Sequence, residues 1–243
     1  MSIFTRRRSA VPLSPTLDSF VQLGLSPSTR YVPRAALSRG KRALDIALAG
    51  ALLALTSPVW LALAIAISAT TRGPVLFRQQ RLGLNGVPFT VLKFRSMHHG
   101  APEGAHERFV TSMISALPAT ISPDAIHKLQ DDLRITRFGR WLRRTSLDEL
   151  PQLINVLRGE MSLVGPRPPL AYEVAKYEPW QHERLAVRPG ITGLWQVSGR
   201  NRLTYFEMCE VDVRYVRTWS FSMDLRIILR TPWVMFFERG GAS

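Results

Sequence analysis

The hydrophobic pattern is dominated by one run. From Ile46 to Ala69 no residue is charged, long enough for a helix to cross the hydrocarbon core of a bilayer. Ser57 and Pro58 stand at its middle. Proline removes a backbone donor and crowds the preceding turn, so the pattern predicts a helix broken or kinked there. Arg30, Arg34, Arg39, Lys41 and Arg42 precede the run, and Arg72, Arg78 and Arg81 follow it. Positive charge near a membrane segment marks its cytoplasmic side. A re-entrant helix, turning at Ser57-Pro58 and returning to the same face, satisfies both flanks. A straight span satisfies one, and a buried helix of a soluble domain requires neither.

Beyond this run the periodicity changes. Val75 to Gln80 and Pro88 to Phe94 read as short strands, and Gly83, Asn85 and Gly86 between them are turn residues, which predicts a hairpin. Residues 98 to about 132 read as a solvated loop, since His98-His99 has no acidic or His partner at helical spacing. From Thr136 the chain turns helical and basic, and Leu147, Leu150, Leu153, Ile154 and Leu157 predict an amphipathic helix stopped at Gly159. Pro- and Gly-rich loops follow, and then two helices over "FEMCEVDVRYVRTWSFSMDLRIILRTPWVMFF". Trp233, Phe236 and Phe237 there suit either a membrane interface or a core. Residues 1–38 have little apolar periodicity and several Pro, Ser and Thr, and read as a basic tail. The division is therefore 1–38 tail, 39–72 membrane helix, and 73–243 main domain. The fold class is α+β: a mostly helical cytosolic domain with a small hairpin, carried on the membrane helix.

Composition narrows the partners. Lys and Arg number 32 against 18 Asp and Glu, a formal net charge of +14. This suits phosphorylated substrates, anionic lipid or nucleic acid. The single cysteine, Cys209, excludes an intramolecular disulfide and lies in a polar stretch that suits an inert thiol.

The chemistry concentrates at "TSLDELPQL". Ser146 with Glu149 three residues later has the form of a capping box, and Asp148 suits the positive end of a helix. The surroundings add a second reading. Arg134, Arg137, Arg140, Arg143 and Arg144 precede the pair, and Arg158 and Arg167 follow it. Guanidinium groups favour phosphate through paired hydrogen bonds. Among them, one carboxylate can attack phosphorus and another can hold Mg²⁺ together with substrate phosphates. Spacing does not divide these roles between Asp148 and Glu149. Asp45 is expected to pair locally with Lys41 and Arg42, and Asp224 to serve as a structural pair or cap.

"KFRSM", "TSLDELPQLINVLRGEMSLVGPRP", "RPGITGLWQVSGR" and "DVRYVRTWS…DL" resemble, in order, the bacterial sugar transferases that start polysaccharide and glycoconjugate assembly. These are the monotopic polyprenyl-phosphate phosphoglycosyl transferases. The resemblance covers about Lys41 to Val234. It implies a re-entrant helix broken at Ser57-Pro58 in the cytoplasmic membrane, with the catalytic domain on the cytoplasmic face. It implies that Asp148 attacks the β-phosphate of a UDP-sugar, that UMP leaves, and that undecaprenyl phosphate takes the phosphosugar from the enzyme. Glu149 is then a ligand of Mg²⁺. Arg167 and Asp212 match positions lining the family's site, and Lys93, Arg95, Arg144 and Arg200 are expected to contact phosphates. Glu160 stands where the family commonly has Asp, and the chain reads as a short form lacking the extra membrane helices of the long members. Partners are thus the UDP-sugar, the polyprenyl phosphate, membrane lipid and a second copy of the chain, with nucleic acid not expected. The competing reading is a membrane-anchored basic protein that binds anionic lipid or nucleic acid without catalysis. The interleaved aromatics of a single-strand binder are absent.

Overall fold

The computed structural model describes residues 33, 35, 38–98, 100, 134–199 and 203–237. Arg200 and nearly all of the 98–132 loop therefore lie outside the described residues, as does almost all of the tail.

The apolar run is one helix, α1 (Arg39–Thr70), started by Ser38, whose hydroxyl accepts from the Lys41 N–H. Its expected break is milder than the sequence suggests, because the backbone stays helical through Pro58. Proline leaves the Ala54 carbonyl without its amide partner. The Ser57 hydroxyl donates to that same carbonyl at 2.8 Å, and the Thr56 hydroxyl bonds the Leu52 carbonyl. Local hydroxyls thus satisfy backbone groups that lipid cannot.

One narrow stripe of α1 faces the rest of the protein: Lys41, Asp45 and Ala49 early, Leu63 and Ile67 late. The remainder is exposed and apolar, with Leu55 at 76% and Leu61 at 66% exposure. A helix of 32 residues is about 47 Å long, yet both ends are fastened to the same body. At the start, Lys41 Nζ donates to Asp224 at 2.7 Å and to the Val164 carbonyl at 2.9 Å. Arg42 donates to the carbonyls of Val156 and Leu157. At the far end, Arg95 donates to Thr71 Oγ1 and the Thr71 carbonyl at 2.7 and 2.8 Å and also reaches the Pro74 carbonyl.

Asp45 does not pair with Lys41 or Arg42, as expected locally. Its Oδ1 accepts from Ser162 Oγ and the Leu163 N–H, both at 3.0 Å. Asp224 is structural, as expected: besides Lys41 it accepts from Tyr215 Oη and Trp219 Nε1. Both carboxylates are nearly fully buried, so their partners come from across the fold.

Strands β1 (Leu76–Leu82) and β2 (Pro88–Phe94) form the predicted antiparallel hairpin, with β1 running two residues beyond the sequence boundary. Helix α2 (Arg137–Thr145) and the short α3 (Gln152–Arg158) flank a single 3₁₀ turn, Leu147–Glu149. A two-stranded parallel sheet, which the hydrophobic pattern did not announce, pairs β3 (Ser162–Val164) with β4 (Gly190–Thr192). Its strands are three residues each, too short for a readable alternation. They approach so closely that a Cβ on Gly190 would lie 2.1 Å from the Gly165 amide nitrogen, and one on Gly165 would lie 2.5 Å from the Arg188 carbonyl. This contact explains the glycines in "VGPRP" and "RPGIT". Short helices α4 (Ala171–Val174) and α5 (Leu194–Val197) come next, the first before β4 and the second after it. The two predicted terminal helices are α6 (Tyr205–Thr218) and α7 (Phe221–Phe236). The main core joins Ala49 of α1, Val91, Val156, Met161, Val164, Tyr215 and Ile227. A second cluster joins Leu63 and Ile67 to Phe94 and Leu142.

Removing one partner of a buried ion pair strands the other. Lys41→Met should therefore destabilise the protein by about 3–5 kcal/mol, and adding Asp224→Leu should restore much of the loss. Thermal unfolding in detergent of the two single variants and the double variant measures this coupling.

Candidate active site

Asp148 and Glu149 sit on the 3₁₀ turn between α2 and α3. The expected capping box is absent. Ser146 has left-handed backbone, φ 55°, its side chain caps nothing, and its N–H closes α2 by bonding to Leu142 and Arg143 carbonyls. Non-glycine residues enter this region at a cost and do so often at functional turns. The reversal lets α2 stop and the dyad turn begin without a spacer.

Glu149 instead reaches Lys93 at the end of β2, with Lys93 Nζ donating to Oε1 at 2.7 Å. The turn is held against the hairpin by Asn155 of α3. This fully buried side chain accepts from the Leu92 N–H and donates to the Thr90 carbonyl and to Glu160 Oε2, the latter two at 2.7 Å. Glu160 thus completes the clamp. Sequence reading passed over Asn155, since a lone amide in a helix carries no signal until its strand partner is known.

Asp148 is buried. Burial pushes its carboxyl up to about 6; the charges of Lys93 and Arg143 pull it down, and Glu149 pushes it further up. Arg143 is oriented by donating from Nε to Ser96 Oγ at 2.8 Å. The dyad is therefore one desolvated carboxyl group beside one carboxylate paired with a lysine. Around it α2 exposes Arg137, Arg140 and Arg144.

The other predicted residues separate into groups. Arg167 is exposed on the Gly165–Pro169 loop. That loop is held by the Thr192 carbonyl, which accepts from the Gly165 N–H, and by the Gly190 N–H, which donates to the Pro166 carbonyl. The loop is also tied to β1. Arg95 is engaged with Thr71 and Pro74 at the end of α1. Asp212 is fully buried on α6, and its Oδ2 accepts from Nε and Nη2 of Arg184 at 3.0 and 2.7 Å. Burial alone would lower the Arg184 pKa; Tyr177 and Asp212 raise it well above the usual value. Arg184 also donates to Tyr177 Oη and contacts Cys209 Sγ. Burial pushes the Cys209 thiol up to about 11, so the thiol is inert as expected. Arg184 lies in none of the conspicuous motifs, and nothing in the sequence links it to Asp212.

Among the described residues no three His, Cys, Asp or Glu side chains cluster as a metal cage. Mg²⁺ bound largely through substrate phosphates needs only one or two carboxylates. Glu149, half-exposed and next to Asp148, is a donor of that kind.

The model of the bacterial sugar transferase family matches residues 36–238. Similar proteins include the UDP-glucose:undecaprenyl-phosphate glucose-1-phosphate transferase of Caulobacter vibrioides, 40% identical over 90% of this chain and 82% of that protein. The exopolysaccharide production protein ExoY of Rhizobium meliloti is 40% identical over 82% of this chain and 87% of its own length. The undecaprenyl-phosphate galactose phosphotransferase of Salmonella typhimurium is 40% identical over 83% of this chain, which spans only 41% of that longer protein. The dyad turn, the arginine-bearing loop and the apolar helix all fall inside the matched span, and the chain belongs to the bacterial sugar transferase family.

Proposed function

We propose that this enzyme transfers a sugar 1-phosphate from a UDP-sugar to undecaprenyl phosphate, through a phosphosugar held on Asp148. The observation that carries the reading is Asp148 itself: a buried carboxylate, pushed up to about 6, beside a Lys-paired Glu and a field of arginines. A desolvated anion is a stronger nucleophile than a hydrated one, and the arginines receive the charge of phosphate oxygens.

In the first step a carboxylate oxygen of Asp148 bonds to the β-phosphorus, and the bond from that phosphorus to the oxygen bridging it to the α-phosphate breaks. UMP leaves with the electron pair. In the second step a phosphate oxygen of the polyprenyl phosphate bonds to the same phosphorus and the Asp148 carboxylate is released. Neither step requires a proton from the protein, so the site needs no histidine. Glu149 would hold Mg²⁺, which supplies neutralisation of phosphate charge. Lys93 donates to Glu149 and holds it close. Arg143 and Arg167 face the phosphates, while Arg144 and Arg200 are assigned by the family pattern to the same field.

The reaction joins a water-soluble donor to a lipid phosphate at the membrane surface. The attachment of both ends of α1 to one body supports a re-entrant helix, with the active site on the cytoplasmic face of the inner membrane. The exposed apolar residues of α1 then face acyl chains. Cysteines introduced at Arg39 and Arg72, both exposed, should be labelled by an impermeant maleimide from the cytoplasmic side only; labelling from opposite sides refutes this topology.

Asp148→Asn should abolish UMP release and leave no phosphosugar mass on the protein, whereas the wild type with donor alone should carry one. The same variant should not lose stability. The folded pKa of Asp148 is raised above its unfolded value, so its contribution is full below about pH 4 and is lost as pH rises through about 6. At pH 7 that burial costs roughly 3 kcal/mol, and the neutral amide escapes it. A thermal midpoint well below wild type at pH 7 would contradict this account.

Rate should follow the ionised form of Asp148, rising with pH to a plateau from a midpoint near 6. Lys93 is the largest charge holding that midpoint down. Lys93→Ala should move the midpoint of kcat/KM upward. A pH profile of the first half-reaction decides it, and an unmoved or lowered midpoint removes Lys93 from this role.

A further inference from the structure

Arg81 of β1 is only 7% exposed. Its Nε and Nη2 donate to Gln79 Oε1 at 3.1 and 2.8 Å, and its Nη1 donates to the Pro168 carbonyl at 2.9 Å. Every one of these acceptors is neutral. Among the described residues the ion pairs are Lys41–Asp224, Lys93–Glu149, Arg184–Asp212 and Arg217–Glu183, and Arg81 is in none of them. A buried charge without a counter-ion is costly, and proteins seldom keep one without use.

The geometry around Arg81 indicates that use. The next residue, Leu82, donates its N–H to the Pro169 carbonyl at 3.0 Å. Two adjacent residues of β1 therefore grip the two residues that follow Arg167. Arg167 is itself exposed. Burial first, and then the charge of Arg167, lowers the Arg81 pKa to about 10, while Glu173, Tyr172 and, least, Glu149 act on it in the opposite sense. Two guanidinium groups thus sense each other across this loop, and among the described residues no carboxylate lies within ion-pair distance of the buried one.

We infer that Arg81 is a positioning residue of the phosphate site: it pins the loop carrying Arg167 and holds a buried positive charge that a bound phosphate compensates. The inference rests on the transferase reading above. It extends it by naming a residue that hydrogen-bonds only to the scaffold yet strengthens the hold on substrate. The phosphate is that of the nucleotide donor or of the polyprenyl acceptor, which share the same chemistry.

The test uses the full chain in detergent and measures kcat, the KM for each substrate, and the thermal midpoint. Arg81→Met removes the charge and the fork; Arg81→Lys keeps the charge. Arg81→Met should raise the KM of one phosphate substrate by at least about tenfold, while kcat stays within about threefold. Arg81→Lys should restore that KM to within about threefold of wild type. A rise confined to the UDP-sugar assigns the charge to the donor, and a rise confined to undecaprenyl phosphate assigns it to the acceptor. If Arg81→Met does not fold, Arg81→Gln replaces it, keeping a donor for Pro168 without the charge. Unchanged KM values in a folded, uncharged variant overturn the inference, as does an Arg81→Lys variant as impaired as the uncharged one, which marks Arg81 as a strut alone. Wild-type protein that releases no UMP from any UDP-sugar defeats the transferase reading itself, a different result from an active wild type with an indifferent Arg81→Met.

Discussion

The buried contact of Lys41 with Asp224 is the interaction on which the arrangement turns. It joins the first turn of the apolar helix to the last helix, and the same lysine reaches the Val164 carbonyl at the end of β3. Asp45, one turn further along, holds the start of β3 through Ser162 and Leu163. The strand held at both ends runs directly into the loop bearing Arg167. The depth and rotation of α1 therefore set where that arginine stands. A charged pair at this point is defensible energetically because Asp224 has three donors and Lys41 two acceptors; a half-satisfied pair would be worse than none. The other end of α1 is fixed less deeply, by Arg95 on the Thr71 and Pro74 carbonyls, which joins it to the end of β2, the strand that carries Lys93.

Much of this was legible in the sequence where the cause is local. The apolar run, the hairpin and the two terminal helices follow from periodicity and turn residues, which need no knowledge of distant parts. The failures share a cause. Ser146 and Glu149 have the spacing of a capping box, but α2 ends at Ser146 itself, and a residue forced into left-handed backbone cannot cap the next turn. Lys41 and Asp45 have the spacing of a helix pair, yet each finds a better partner across the fold. Arg95 lies in a motif with Lys93, but it stands just past β2 and its guanidinium goes to Thr71 and the Pro74 carbonyl, contacts that no spacing announces. Pattern gives the local candidates; burial, which the sequence does not report, selects among them.

The contrast between Asp148 and Asp212 shows how selection separates structure from chemistry. Both are buried acids in recognisable motifs. Asp212 has its counter-charge inside the chain, where two nitrogens of Arg184 converge on one oxygen and Tyr177 and Cys209 close around the guanidinium. The other oxygen, Oδ1, is buried with no hydrogen-bond partner among the described residues. Burial pushes the Asp212 carboxyl up to about 6 as well, with Arg184 pulling it down, so the difference from Asp148 is the Arg184 fork and not the degree of burial. The charges that steady Asp148 are Lys93 and Arg143, and both are already engaged, one by Glu149 and the other by Ser96. Asp148 is left desolvated and incompletely compensated.

Incomplete compensation is what a phosphoryl-transfer site requires on both sides of the charge balance. A carboxylate fully paired to an arginine would be stable and unreactive; the same carboxylate in water would be solvated and equally slow. Burial strips it of water, while the charges of Lys93 and Arg143 hold its pKa low enough for it to be anionic near neutral pH. On the other side, Arg81 and Arg167 enter no ion pair among the described residues. Each is unfavourable alone, since a buried anion and a buried cation both cost free energy. They cannot cancel by meeting, because Asp148 is held on its 3₁₀ turn by Asn155 and the arginines are held on the hairpin and the Pro166–Pro169 loop. A rigid scaffold keeps unlike charges apart; in the proposed reaction a bound phosphate compensates the arginines, and the charge of Asp148 is relieved only when its oxygen bonds to phosphorus. The binding free energy of the substrate is thereby tied to the fold that holds them separate.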